Sequence, residues 1–134
     1  MRTVGSLVMA LSLLASALSA QSGSDLPEGV TPAMIATGET LYKSIGLCFA
    51  CHGPDARGVP GAGVNLTDDE WLHVDATFEG LVQRILDGVG PDLTESGLIM
   101  LPKGGSQVTD EQIRAIASYV WSLSRRAKAP SDGT

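Results

Sequence analysis

The sequence predicts an all-α domain of about four helices joined by two long loops that are rich in glycine and proline. Three observations support this fold class. Apolar residues recur at helical spacing in separate segments. Threonines suited to helix capping precede these segments, and no convincing strand is evident. Residues 48–66 and 88–108 show no period, and loops of this length in a compact domain usually hold something.

The first helix is predicted to begin at Thr31 and to run to Ser44 or Ile45. Thr31 can cap the helix, and proline at position 32 suits the first helical turn. Gly46 should end the helix, because glycine tolerates the left-handed backbone that often closes one. Met34 lies within this helix and is interpreted as a packing residue.

Two helices are predicted in the middle of the chain. Residues 67–70, Thr-Asp-Asp-Glu, match a capping box and should start a short helix through Trp71 and Leu72. The next helix should begin at Asp75 or Thr77. Its helical spacing is carried by five apolar residues, which are Phe78, Leu81, Val82, Ile85 and Leu86.

A second capping box at residues 109–112, Thr-Asp-Glu-Gln, should start the last helix. One side of this helix is apolar and carries Ile113, Ile116, Ala117, Val120, Trp121 and Leu123. The predicted domain therefore extends over residues 31–126, and residues 127–134 are interpreted as a flexible tail.

The N-terminal segment, residues 1–20, has the pattern of a secretory signal peptide. A positive charge at Arg2 precedes an apolar run, and small residues at 15–17 suit cleavage. An uncleaved anchor is the alternative, but the run falls short of the roughly 20 residues that span a bilayer. Residues 21–30 are polar and are predicted to form a flexible leader. We therefore expect export to the periplasm, without membrane insertion after cleavage.

The composition narrows the possible functions. The chain has 15 acidic and 9 basic residues and a net charge of −6, so nucleic acid is not an expected partner. Aromatic residues make up only 4% of the chain, which supplies few large groups for a core. A bulky apolar cofactor at the centre of the domain would compensate.

The segment Cys48-Phe49-Ala50-Cys51-His52 carries the strongest chemical signal. Its C-x-x-C-H pattern is the signature of covalent haem c attachment, with one thiol for each vinyl group and the histidine as an axial iron ligand. A thioredoxin-like redox pair would need a βαβ context, which the sequence lacks. A zinc site would need a fourth ligand such as His73. A disulfide across two residues would stabilise only weakly.

The second axial ligand is expected to be Met100, which lies in an apolar stretch of the second long loop. Thioether sulfur stabilises reduced iron, as in His/Met cytochromes. Ordinary packing is the alternative role for Met100. His73 is a weaker candidate, since it could instead contact a haem propionate or face solvent.

The chain resembles class I monohaem cytochromes c over residues 31–126, and it is similar to haem c domains of bacterial oxidases and periplasmic dehydrogenases. The resemblance rests on Gly38-x-x-x-Tyr42 before the haem motif, on residues 65–73 and on residues 109–123. It implies a cytochrome c fold around one covalently attached haem, with Gly38 at a close crossing of the first and last helices. The family usually has Met-Pro at the distal ligand, whereas here Leu101 separates methionine from proline.

The resemblance also implies neighbours for the haem. The Val64 carbonyl should accept a hydrogen bond from the ring of His52 and orient it. Trp71 should contact a propionate or the macrocycle, with a plain core position as the alternative. The remaining pocket residues are expected to be Leu66, Leu72, Phe78, Ile85, Ile99 and Leu101.

The expected function is periplasmic one-electron transfer by a protein that is not itself an enzyme. Its partners would be transient redox proteins, namely a dehydrogenase as donor and an oxidase or another cytochrome as acceptor. One alternative is a haem subunit bound permanently to a dehydrogenase or oxidase. Another is a gas-binding or sensing haem protein, which would require that Met100 is not a ligand.

Overall fold

The computed structural model describes residues 26–71, 76–94 and 97–128 of the chain. Within these ranges the elements follow in the order α1 (Pro32–Tyr42), α2 (Cys48–His52), α3 (Phe78–Asp87), a short 3-10 helix (Pro102–Gly105) and α4 (Asp110–Lys128). The only β-type pairings in this part of the chain are two isolated bridges, Val59 with Gly63 and Val89 with Met100. The predicted all-α class is therefore confirmed.

Helix α1 begins where its capping residues predict and ends earlier than expected. The Thr31 hydroxyl accepts a hydrogen bond from the Met34 N–H at 3.2 Å, and proline follows at the first helical position. The last helical residue is Tyr42 rather than Ser44 or Ile45. The chain turns there because the Gly46 N–H donates to the Leu41 carbonyl at 2.9 Å, which closes the helix end.

The segment between α1 and α3 differs from the prediction in two respects. The haem motif forms the five-residue helix α2 at the start of the stretch predicted as loop. Residues 66–71 form bends and no helix, so the predicted short helix is wrong over its described part. The Asn65 side chain accepts hydrogen bonds from both the N–H (2.9 Å) and the hydroxyl (2.8 Å) of Thr67, which holds a turn.

The ends of the domain also need correction. Val30, placed in the flexible leader, is 8% exposed and belongs to the core, so order begins before Thr31. Its N–H donates to the Pro27 carbonyl at 3.0 Å. At the other end, α4 continues through Lys128, two residues into the predicted tail. The proposed signal peptide and residues 129–134 lie outside the described residues.

Helix α4 forms the base of the core, and α1 crosses it at Gly38. A Cβ atom on Gly38 would overlap the Ala115 carbonyl oxygen and lie 3.0 Å from the Tyr119 Cβ. The rings of Tyr42 and Tyr119 pack edge to face, with their centroids 5.4 Å apart. Only a residue without a side chain permits this approach, which agrees with the close crossing implied by the resemblance.

Helix α3 packs on α4 through Phe78, whose ring centroid lies 6.0 Å from that of Trp121. Arg114 and Glu79 join the same two helices at the surface by a two-pronged hydrogen bond, both distances being 2.8 Å. No helix in the described ranges combines the length and apolarity needed to cross a membrane.

Candidate functional site

One cavity of about 410 Å³ opens between α2, α3, α4 and the loops that connect them. Its walls are mostly apolar. Most of the residues proposed for the site from the sequence line it, among them Cys48, Cys51, His52, Val64, Leu66, Trp71, Ile99 and Met100. These residues come from four separate segments of the chain, so the fold brings together what the sequence holds up to 52 positions apart.

The two cysteines lie at one side of this cavity on α2. Leu47, immediately before the helix, adopts the left-handed conformation (φ 59°) that turns the chain from α1 into α2. Both thiols are free; that of Cys48 is half-buried and that of Cys51 exposed. Burial raises the pKa of Cys48 to about 11, so this thiol stays protonated at neutral pH. The Cys48 thiol donates to the Gly46 carbonyl at 3.4 Å.

These properties weigh against the other interpretations of the cysteine pair. A thioredoxin-like nucleophile needs a lowered thiol pKa, and the shift at Cys48 is in the opposite direction. Within residues 26–71, 76–94 and 97–128, no group of three or more His, Cys, Asp or Glu side chains could hold a metal ion. His73, the possible fourth zinc ligand, lies outside those ranges.

The ring of His52 is fixed in one orientation and one tautomer. Its Nδ1–H donates to the Val64 carbonyl at 2.8 Å, which leaves a lone pair on Nε2 for a metal. Burial lowers the pKa of His52, partly offset by that hydrogen bond, and keeps the ring neutral. The next residue is held as well, because the buried Tyr42 hydroxyl donates to the Gly53 carbonyl at 2.8 Å.

The loop that carries Val64 passes very close to α2. A Cβ on Gly63 would lie 2.5 Å from the Cys51 carbonyl oxygen and 2.7 Å from its carbon, so no larger residue fits. The Gly58 N–H donates to the His52 carbonyl at 2.8 Å and fastens the start of the same loop. Gly63 is therefore a site residue that the sequence analysis did not single out. The only signal for it was its place directly before Val64 in a glycine-rich stretch.

Backbone hydrogen bonds to Val89 hold Met100 in place. Val89 and Met100 exchange two hydrogen bonds, at 2.8 and 2.9 Å, as an antiparallel pair. Side chains of such a pair lie on the same face, and Val89 is 8% exposed. Met100 accordingly points inward, whereas the alternating residues Ile99 and Leu101 are 55% and 58% exposed at the cavity mouth.

Glycine 88 makes this pairing possible. It adopts φ 71° at the end of α3, and a Cβ there would overlap the Met100 carbonyl oxygen and lie 2.8 Å from the Leu101 carbonyl carbon. The segment beyond Met100 then enters the 3-10 helix Pro102–Gly105. The strand-like pairing and the glycine together set the position from which the Met100 thioether faces the cavity.

Two other predicted pocket residues have different outcomes. Phe78 packs against Trp121 and does not line the cavity. Leu72 lies outside the described residues. Trp71 lines the cavity and also packs edge to face on Trp121, with the ring centroids 5.3 Å apart. It therefore belongs both to the pocket and to the core. The sequence analysis missed Arg84, which lines the cavity from α3.

Several known proteins are similar to this chain. Residues 33–120 match the family described as cytochrome c oxidase, cbb3-type, subunit III. The cbb3-type oxidase subunit CcoP of Rubrivivax gelatinosus is 38% identical over 80 residues, covering 59% of this chain and 23% of that protein. CcoP of Rhodobacter capsulatus is 39% identical over 79 residues, covering 57% and 25%. The chain thus spans about a quarter of the length of these relatives.

A longer match and a solved structure extend the comparison. Subunit FixPc of Rhizobium leguminosarum bv. viciae is 33% identical over 99 residues, covering 73% of this chain and 32% of that protein. The crystal structure of cytochrome cL from Methylophaga aminisulfidivorans superposes with a TM-score of 0.54 and 26% identity, covering 69% of this chain and 55% of that one.

The residues present fit a covalently attached haem c. Two thiols separated by two intervening residues lie at the wall of an apolar cavity, and a neutral histidine with a free Nε2 follows the second thiol. The fold, the motif and the comparisons agree on that cofactor. The chain belongs to the family of cytochrome c oxidase, cbb3-type, subunit III, with a cytochrome c fold and haem c as its cofactor.

Proposed function

We propose that this domain transfers single electrons in the periplasm through a haem c with one histidine and one methionine ligand. The observation that carries the proposal is the meeting of the C-x-x-C-H motif and Met100 in one apolar cavity, with His52 already oriented by Val64. The bound cofactor supplies a one-electron couple between Fe(III) and Fe(II). Protein side chains determine how that couple is held and tuned.

Four side chains would hold the cofactor. Cys48 and Cys51 would form the two thioether bonds, and His52 Nε2 would be the proximal ligand. Met100 would be the distal ligand, where soft sulfur favours the reduced ion. The hydrogen bond from His52 to Val64 prevents rotation of the ring and increases its basicity as a ligand.

The apolar walls of the cavity would exclude water from the cofactor. Leu66, Ile85 and Val89 line it, and Trp71 closes one part of the wall. A dry surrounding disfavours the extra positive charge of the ferric state, so it raises the reduction potential. Because His52 and Met100 would both bind the iron, no substrate would need to bind it.

Electrons would enter and leave where the cofactor is tethered near the surface. Cys51 is exposed, and its neighbours Leu47 and Phe49 are 44% and 37% exposed. A small apolar surface of this kind suits brief encounters with redox partners, which generally bury little area. We propose a dehydrogenase as donor and an oxidase or another cytochrome as acceptor.

A second candidate role is that of a subunit held permanently in an oxidase complex. The similar proteins favour it, since CcoP and FixPc are subunits of cbb3-type oxidases. Fractionation of native cells distinguishes the two roles. A carrier is released with the periplasmic contents after signal cleavage, whereas a subunit co-purifies with other chains.

The test of the ligand set is an absorption spectrum of the holoprotein, oxidised and reduced, before and after carbon monoxide. A low-spin c-type spectrum that carbon monoxide leaves unchanged is expected. The variant Met100→Ala should open the iron to carbon monoxide, and Met34→Ala, on the half-buried face of α1, should not. Ready binding of carbon monoxide to the unmutated protein would contradict the proposal and favour gas sensing.

A further inference from the structure

Leu47 has a backbone conformation that is costly for a leucine. Its φ is 59° and its ψ is 7°, which lies in the left-handed region, where the Cβ of an L residue crowds the backbone. In the described part of the chain most residues with positive φ are glycines, and Leu47 is one of four that are not. Glycine or asparagine would adopt this conformation at a lower cost. The side chain of Leu47 must therefore compensate for the conformation of its backbone.

The left-handed turn cannot move to the glycine next to it. A Cβ on Gly46 would lie 2.7 Å from the Leu41 carbonyl oxygen and 2.9 Å from Ile116 Cδ1, so position 46 needs glycine for space. The φ of Gly46 is not positive. The chain therefore turns at Leu47, one residue before the first cysteine of the haem motif.

The side chain of Leu47 lies between the cavity and solvent. It lines the cavity directly before Cys48 and is 44% exposed. The segment after Met100 reaches the same edge, because the Gly46 carbonyl oxygen lies 3.5 Å from the position that a Cβ on Gly104 would take. Residues 44–51 carry no charged side chain. This edge of the cavity is therefore apolar, and a leucine separates it from water.

We propose that Leu47 covers the tethered edge of the haem, keeps water away from it and thereby raises the reduction potential. The inference rests on the proposed function, since Cys48 would carry one of the two thioether bonds beside Leu47. Water at that edge would stabilise the additional positive charge of ferric iron, whereas an apolar side chain favours the ferrous state. The apolar contact with the cavity offsets the cost of the left-handed backbone.

A role in the turn alone predicts a different pattern. If Leu47 only connected α1 to α2, residues that suit the left-handed region would serve as well or better, and the cofactor would be unaffected. The proposal instead separates stability from reduction. Glycine and asparagine relieve the backbone and remove the apolar cover, whereas alanine removes the cover and keeps the cost of the backbone. Methionine keeps an apolar cover of similar volume.

The experiment compares Leu47→Asn, Leu47→Gly, Leu47→Ala and Leu47→Met with the control Leu93→Asn in the holoprotein. Leu93 is also an exposed leucine, at 57%, but it does not line the cavity and its φ is not positive. The measurements are the reduction equilibrium with a mediator and the unfolding equilibrium in denaturant.

We expect Leu47→Asn, Leu47→Gly and Leu47→Ala to lower the equilibrium constant for reduction about fivefold, because each admits water to the tethered edge. Leu47→Met and Leu93→Asn should leave that constant unchanged. The unfolding equilibrium constant of Leu47→Ala should be about five times that of Leu47→Gly, because alanine retains the cost of the left-handed conformation.

The cover is refuted if Leu47→Asn and Leu93→Asn have the same reduction equilibrium. The argument from the backbone is refuted if Leu47→Ala is as stable as Leu47→Gly. Absence of covalent haem c from the unmutated protein would overturn the proposed function together with this inference. Covalent haem c with an unchanged reduction equilibrium in the Leu47 variants would overturn the inference alone.

Discussion

Replacing Gly38 by alanine should destabilise the holoprotein, although alanine is the better helix former. Gly38 lies in α1 where that helix crosses α4. The added Cβ would overlap the Ala115 carbonyl oxygen and lie 2.5 Å from its carbon. Both are backbone atoms of a regular helix, so neither can rotate away, and the two helices must separate.

The magnitude follows from two opposing terms. Overpacking of a close-packed interface costs about 3 kcal/mol or more where the neighbour cannot move. Alanine in place of glycine gains about 1 kcal/mol in helix propensity. The net destabilisation of Gly38→Ala should therefore be about 2 kcal/mol, which lowers the melting temperature of a domain of this size by about 10 °C.

The assay is denaturant and thermal unfolding of the purified holoprotein, with Gly90→Ala as control. Gly90 has open space around its Cβ position and an ordinary φ, so its variant should stay within about 0.5 kcal/mol of the unmutated protein. An unchanged or increased stability of Gly38→Ala would refute the reasoning. It would mean that propensity outweighs packing at this crossing.

Two further predictions concern the Met100 segment and the surface. Gly88→Ala should displace Met100 and let carbon monoxide bind the reduced protein. Gly97→Ala should not, because Gly97 has a similar φ of +75° but no atom within 4 Å of an added Cβ. Equal responses of the two variants would contradict the role of the close contact between Gly88 and Met100. The hydrogen bond from Arg114 lowers the pKa of the exposed Glu79, so the bond should stabilise the protein above the ordinary carboxyl pKa of 4.5 and cease to do so as pH falls through the lowered pKa. Denaturant unfolding of Glu79→Gln should therefore differ slightly from the unmutated protein at pH 7 and converge with it in acid, and a difference that grows in acid would contradict this sign.

The two capping-box sequences show how far local patterns determine the fold. At residues 109–112 the reciprocal bonds form, from the Thr109 N–H to Gln112 Oε1 (2.9 Å) and from the Gln112 N–H to the Thr109 hydroxyl (3.2 Å). At residues 67–70 they do not, because Asn65 engages Thr67 and the Glu70 N–H donates to Asp68 instead. An apolar helix face follows residues 109–112, whereas residues 67–70 are followed by Trp71, which lines the cavity.

The candidate site could be predicted where it depends on adjacent residues, and less where it depends on contacts between segments. The C-x-x-C-H motif is local, and its residues lie together on one five-residue helix. Gly63 and Gly88 escaped notice because their importance comes from Cys51 and Met100, which approach them only in the folded chain. Arg84 was not singled out either, because its place on the cavity wall depends on how α3 packs in the folded chain.

The way in which the fold holds Met100 explains why a residue can stand between Met100 and Pro102. Were the proline needed to set the methionine, an intervening Leu101 would move the thioether out of the cavity. Met100 is instead fixed by its two hydrogen bonds with Val89 and by the close fit of Gly88, both of which precede the proline. Leu101 takes the next position on the outward face, 58% exposed, so the insertion is absorbed at the cavity mouth without turning Met100.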